Sequence, residues 1–200
     1  MQVEPLSIEG AWLFSPTIHG DQRGAFLEWF TDSSFSEATG HPLPLVQANA
    51  SVSAKGVLRG IHFADVPPGQ AKYVTCVTGS VLDVIVDIRV GSPTFGTWES
   101  VLLDDRSRRA VYLSEGLGHA FCSLVDGSTV VYLCSAAFNP SAEHEVHPLD
   151  PAIGIEWPLE GIGPELSAKD SAAPTLAEAA ARGLLPLHAD CVAHRRGLSG

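Results

Sequence analysis

In VLRGIHF, residues 57–63, two side chains could act on a ligand: Arg59 can grip an anion with two N–H groups, and His62 can exchange a proton near neutral pH. Three positions apart, they face opposite sides of a plain strand, but Gly60 between them permits a bulge that would turn both to one side. Taken alone, the segment fits a surface arginine and a satisfied core histidine better. Lys72, after the turn PPGQA, is one of only three lysines, with Lys55 and Lys169. Facing into a barrel it would need an anion; on an edge strand it would need nothing. Tyr132, in VVYLC, faces away from Val131 and Leu133, so its hydroxyl enters the interior if those two point out. An ordinary core tyrosine has the same pattern. His119 in GLGHAF reads equally as structural or functional, and Asp170 in LSAKD reads as a loop residue in a turn. In DQRGAFLEWF, Arg23 precedes Phe26, Glu28 and Phe30, which alternate onto one strand face. An aromatic ring and a carboxylate there could stack on and hydrogen-bond a nucleobase, or belong to a half-buried strand. The close histidine pair is His144 and His147, in the loop-like stretch HEVH. His62 has no second histidine beside it, so no metal site is expected.

The elements that must hold these side chains are mostly strands. Nineteen glycines and fourteen prolines are spread along the chain and divide it into short segments. Residues 73–77 (YVTCV), 81–90 (VLDVIVDIRV), 110–113 and 128–135 read as strands. In 81–90, Leu82, Val84, Val86, Ile88 and Val90 share one face, opposite Asp83, Ile85, Asp87 and Arg89. This spacing suits an all-β sandwich or barrel, without the strand–helix alternation of dinucleotide-binding folds. Few helices are expected. Residues 33–39 could form a short one capped by Asp32 or Ser33. TLAEAAARG, residues 175–183, has Thr175 as N-cap, Glu178 at the capping-box position and Gly183 as the stop. One domain over residues 1–186 is expected, with 187–200 as a loose C-terminal tail.

The 200 residues carry 12 basic and 23 acidic side chains, a net charge of −11, which argues against nucleic acid as a partner. A small phosphorylated ligand needs only two or three local cations. Cys76, Cys122 and Cys134 read as reduced core residues and Cys191 as a tail thiol. No apolar run reaches membrane-spanning length and the N-terminus lacks a signal pattern, so a soluble, cytoplasmic protein is expected.

DQRGAFLEWF, LVQANASVS, GVLRGIHF, PPGQAKYV, VLDVIVDIRVGSPTFGTW, VYLSEGLGHAF, DPAIGIEWP and LSAKDSAAPTL occur in this order over residues 4–186. Together they resemble the family of nucleotide-sugar epimerases typified by dTDP-4-dehydrorhamnose 3,5-epimerase. The resemblance implies a cupin-type jelly-roll β-barrel with a few short helices. It implies that His62 is the general base beside the 4-keto group, that Asp170 holds and stabilises it, that Lys72 stabilises the enolate and that Tyr132 delivers the proton from the other face. Arg23 and Arg59 would clamp the diphosphate. Phe26, Glu28, Gln47 and Asn49 would lie near the nucleotide and sugar, and His119 near the sugar. The N-terminal strand segment would cross to the second subunit of a homodimer. The reaction needs no redox cofactor and no metal.

The chain departs from the family pattern twice: Phe63 and Phe138 stand where tyrosines are usual. Such changes occur in relatives from antibiotic deoxysugar pathways, some of which invert one centre. The expectation is inversion at carbon 3 and, more slowly, at carbon 5 of a dTDP-4-keto-6-deoxyhexose. The alternatives are a monofunctional 3- or 5-epimerase on a modified deoxysugar, a 3,4-ketoisomerase, and a non-catalytic sugar-binding barrel.

Overall fold

In the computed structural model, which describes residues 1–159, 161 and 163–198, short strands pair antiparallel into two large sheets. The strands are β1 (Gln2–Pro5), β2 (Ala11–Ser15), β3 (His19–Asp21), β4 (Gly24–Phe26), β5 (Gln47–Ser53), β6 (Leu58–Ala64), β7 (Lys72–Thr78), β8 (Ser80–Val86), β9 (Trp98–Asp104), β10 (Ala110–Leu113), β11 (Gly118–Ser123), β12 (Ser128–Cys134) and β13 (Glu143–Glu145). Four helices, α1 (Asp32–Thr39), α2 (Ala168–Ser171), α3 (Leu176–Ala181) and α4 (His188–Leu198), complete it. One sheet runs β1-β2-β10-β7-β12-β5 and the other β13-β6-β11-β8-β9; β3 and β4 form a separate hairpin. Apart from the consecutive pairs β1–β2, β3–β4 and β8–β9, neighbours within the sheets are distant in sequence, as in the cupin-type jelly roll.

The core lies in three layers. Between the sheets, Val74, Cys76, Val111 and Val130 of one meet Val81, Ile85, Leu103 and Phe121 of the other. Outside the second sheet, Val84, Val86 and Ile88 are covered by Leu176, Ala179 and Leu185 of the C-terminal segment. Outside the first, Tyr73, Tyr112 and Leu133 are covered by Phe35 of α1. A strand buried on both faces needs apolar residues at most positions, which is why 81–88 is apolar except for Asp83 and Asp87, each of which is buried with a hydrogen-bond partner.

Strand β8 ends at Val86 rather than at residue 90. Asp87 there accepts bonds from Arg89 Nε (2.9 Å) and Nη2 (2.8 Å), and from Ser92 and Thr94 hydroxyls, each at 2.6 Å. This buried pair builds the turn of the RVGSPTFG segment. Burial alone would raise the Asp87 carboxyl, but those hydrogen bonds outweigh it and pull it down to about 2.

Helix α1 starts one residue earlier than its sequence suggests, with Thr31 as N-cap and no side-chain cap bond. Helix α3 has the expected capping box between Thr175 and Glu178. The LSAKD segment, read as a loop, contains the single turn α2, capped by Ser167. Residues 143–145, also read as loop, form β13 on the edge of β6. The stretch read as a loose tail is helix α4, with Cys191 on its buried face. Arg195 pairs with Glu9, and His188 Nε2 lies 3.3 Å from the same carboxylate. Residues 199 and 200 lie outside the described residues. All four cysteines are buried and unpaired. No helix among the described residues is long and apolar enough to cross a membrane.

Candidate active site

The first sheet presents alternate residues to the interior: Lys72, Val74 and Cys76 on β7, and Val130, Tyr132 and Cys134 on β12. Gln47 and Asn49 of β5 lie opposite Cys134 and Tyr132, so all share that face. Across from them, β6 carries His62. Between β6 and β11 the register slips by one: Arg59 lies opposite Phe121, but His62 lies opposite His119. Three steps on β6 therefore match two on β11, a bulge that turns Arg59 and His62 to the same side. Gly60 makes it possible, with φ +123° and a position where a Cβ would lie 2.5 Å from the Ala120 Cβ.

These elements enclose a cavity of about 550 Å³ lined by Gln47, Asn49, His62, Lys72, Tyr132 and Glu143, with Gln70 and Phe138 at its rim. His62 Nε2 and Asp170 Oδ1 are 2.7 Å apart, bridging 108 residues of sequence. Asp170 Oδ2 accepts from the Ser167 hydroxyl at 2.9 Å. The Lys169–Glu145 ion pair ties α2 to β13 beside it. Burial pushes the Asp170 carboxyl up, but bonds from His62 and Ser167 and the charge of Lys169 more than offset this, so it lies below its ordinary value. An ionised carboxylate can only accept, so His62 Nε2 carries the proton and Nδ1 keeps the lone pair.

Lys72 is 8% exposed, and burial lowers its ammonium pKa against the pull of Glu143, Cys134 and Asp83. Burial raises the Tyr132 phenol, helped by Cys134 and Glu143, while Arg59 and the Asn49 amide pull the other way. The phenol is thus a proton donor at neutral pH. Gln47 donates to Asn49 Oδ1 at 2.8 Å and accepts the Phe138 N–H at 2.9 Å, so it braces the wall.

The remaining residues singled out from the sequence lie elsewhere. Arg59 is exposed and donates to the Ser53 hydroxyl at 3.2 Å, with its charge felt at Tyr132. His119, next to His62 across the strands, is turned to the fully buried Asp83 at 2.8 Å. Strand β4 ends at Phe26, so Phe26, Glu28 and Phe30 do not alternate on one strand face. Arg23 and Phe26 sit on the β3–β4 hairpin, 90% (side chain) and 68% exposed, Glu28 follows it, and Phe30 packs on the outer layer of the first sheet. Arg23, Phe26 and Glu28 do not line the cavity of the same chain. Phe63 points away from it, buried in the outer layer against the His144 ring. A missing hydroxyl there affects packing, whereas Phe138, 58% exposed, sits at the cavity rim. Glu143 was not singled out from the sequence. Its signal lies in EHE, where Glu143 and Glu145 alternate on a strand edge.

The sequence model of the dTDP-4-dehydrorhamnose 3,5-epimerase family matches residues 5–178. The chain is 61% identical over 195 residues to the dTDP-4-dehydrorhamnose 3,5-epimerase of Mycolicibacterium smegmatis, covering 96% of this chain and 94% of that one. Its structure superposes on the rmlC epimerase of Mycobacterium tuberculosis with a TM-score of 0.97 at 54% identity, covering 99% and 100%. It also superposes on ChmJ, a 3'-monoepimerase from Streptomyces bikiniensis solved with dTDP-quinovose, with a TM-score of 0.95 at 53% identity and 98% of each chain.

Proposed function

The chain belongs to the dTDP-4-dehydrorhamnose 3,5-epimerase family, and we propose that it inverts carbon 3, and more slowly carbon 5, of a dTDP-4-keto-6-deoxyhexose. The observation that carries this reading is the His62–Asp170 pair facing Lys72 and Tyr132 in one cavity. Inverting a centre next to a ketone needs a base, a stabiliser for the enolate oxygen and an acid on the opposite face. His62 Nδ1 takes the proton, and Asp170 stabilises the imidazolium that forms. Lys72 offers an N–H to the oxygen as it gains charge. Tyr132, kept protonated by burial, returns a proton from the other side. No electron changes hands, so no redox cofactor is required.

Arg59 would hold the diphosphate, with Gln47 and Asn49 around the sugar; His119, implied beside the sugar by the resemblance, is instead committed to the buried Asp83. Arg23, Phe26 and Glu28 would complete the site of a second copy in a homodimer. Two observations support that arrangement: the exposed β3–β4 hairpin, and the uncovered edge strand β5 with Val52, 66% exposed, following the exposed Leu45 and Val46. Four unpaired, buried cysteines suit a reducing, cytoplasmic setting.

A second reading, inversion at carbon 3 alone, has its own support in Phe138 at the rim and in the likeness to a 3'-monoepimerase. Incubation with dTDP-4-keto-6-deoxyglucose in D2O separates the two. Mass spectrometry counts the deuterons and NMR locates them. Two, at carbons 3 and 5, support the leading reading, and one, at carbon 3, the second. None at either carbon ends the epimerase reading for this substrate.

A further inference from the structure

Glu115, in the turn between β10 and β11, is a 4% exposed acid that the proposed reaction does not use. It does not line the cavity. Its stem packs on Gly69, where a Cβ would lie 2.7 Å from the Glu115 Cβ. Oε1 accepts from the Ser135 hydroxyl at 3.0 Å, while Oε2 is buried with no partner among the described residues. His194 of α4 stands 4.0 Å from Oε1. A buried carboxylate is costly, so a neutral packing residue would serve better if filling space were its task.

The hydrogen bonds from Glu115 lead towards the cavity. Ser135 Oγ, held by Glu115, accepts the Ala71 N–H at 2.8 Å. The Ser135 N–H returns to the Ala71 carbonyl at 3.0 Å. Next to it, Gln70 Nε2 donates to the Ala136 carbonyl at 2.9 Å. These bonds fasten the start of β7 to the end of β12. Lys72 follows Ala71 directly, and Tyr132 and Phe138 flank Ser135 on the other segment.

We infer that Glu115 is a positioning residue: through Ser135 and the Ala71 N–H it fixes where Lys72 stands relative to Tyr132. This role rests on the epimerase reading, in which Lys72 meets the enolate oxygen. Lysine acts there in the transition state, so displacing it lowers kcat more than it changes KM.

The test reads Lys72 directly and then the reaction. With only three lysines, 13C-lysine labelling gives three Cε resonances, and Lys55→Arg and Lys169→Arg identify the third as Lys72. Ser135→Ala is expected to move the Lys72 resonance and its titration. It should also lower kcat by about ten- to a hundredfold, with KM within about threefold. Glu115→Gln, whose amide oxygen can still accept from Ser135, should keep the Lys72 resonance in place and kcat within about threefold of wild type. Glu115→Ala should resemble Ser135→Ala, and the double variant should be no worse than either alone. If Glu115→Ala does not fold, Ser135→Ala and Glu115→Gln decide. An unmoved Lys72 resonance in Ser135→Ala overturns the inference, as does Glu115→Gln losing kcat as Ser135→Ala does. The resonance needs no substrate. A wild-type protein without turnover whose Lys72 resonance responds as expected would defeat the epimerase reading but leave the positioning intact.

Discussion

Replacing Asp170 by asparagine keeps the shape of the dyad and reverses its polarity. In the native site Oδ2 accepts from the Ser167 hydroxyl and Oδ1 faces His62 Nε2 at 2.7 Å. Ser167 Oγ already accepts the Asp170 N–H at 3.0 Å, so its own proton must go to an acceptor. The asparagine therefore turns its oxygen to Ser167 and its NH2 to His62. Nε2 must then accept, and the ring proton moves to Nδ1, the atom that should take the substrate proton. The base is lost in its resting tautomer, and the imidazolium loses its carboxylate. Removal of a general base typically costs about 10²–10⁴-fold, and forcing the wrong tautomer in a serine protease triad costs about 10⁴ in kcat, so a fall of roughly 10³-fold or more is expected. The assay is deuterium incorporation at carbon 3 in D2O, followed by mass spectrometry. Asp170→Ala is the informative companion. It leaves Nε2 free to hold its proton through water, so it should be faster than Asp170→Asn. Asp170→Asn turning over within about threefold of wild type would refute the dyad's role. Asparagine faster than alanine would refute the tautomer account.

Three further outcomes are expected. Calorimetry should show dTDP binding that weakens by about ten- to a hundredfold in Arg59→Ala, the usual worth of a charged hydrogen bond; dTDP binding no tighter than inorganic phosphate would remove the nucleotide reading. Asp87 has a folded pKa of about 2, below the ~3.9 of an unfolded carboxyl, so its ionisation contributes about 2–3 kcal/mol of stability that is full well above pH 4 and lost as pH falls through about 2. Denaturant titrations from pH 6 to 2 should therefore show a steeper acid loss in wild type than in Asp87→Asn, and equal slopes would refute the role of the pair. Burial pushes the Cys191 thiol up to about 11, on the face of α4 docked against the barrel, so alkylation at pH 8 should be slow in the native protein and faster in Arg195→Ala, which frees the helix from Glu9; rapid labelling of Cys191 in wild type would show that α4 does not dock.

Local pattern was enough for strands β7, β8 as far as Val86, β10 and β12, for the α3 capping box and for the family resemblance, because each depends on neighbours a few residues apart. Gly60 likewise marked the bulge beside His62, since only glycine tolerates that backbone and that contact with Ala120. Tertiary structure decided the rest. His62 and Asp170 are 108 residues apart, and the spacing within LSAKD does not reveal that Ser167 and Lys169 hold the aspartate in place. Glu143 enters the cavity because β13 pairs with β6, a match that three residues of local sequence cannot specify. His119 turns to Asp83 rather than to open space because β8 places that carboxylate beside β11. Helix α4 was hidden for the same reason. HADCVAHRRGL has no apolar stripe to announce a helix, and its anchors, Glu9 and Glu115, come from the far end and the middle of the chain. A short helix in water is marginal until packing supplies its stability, so its partners had to be in place before its residues could be read.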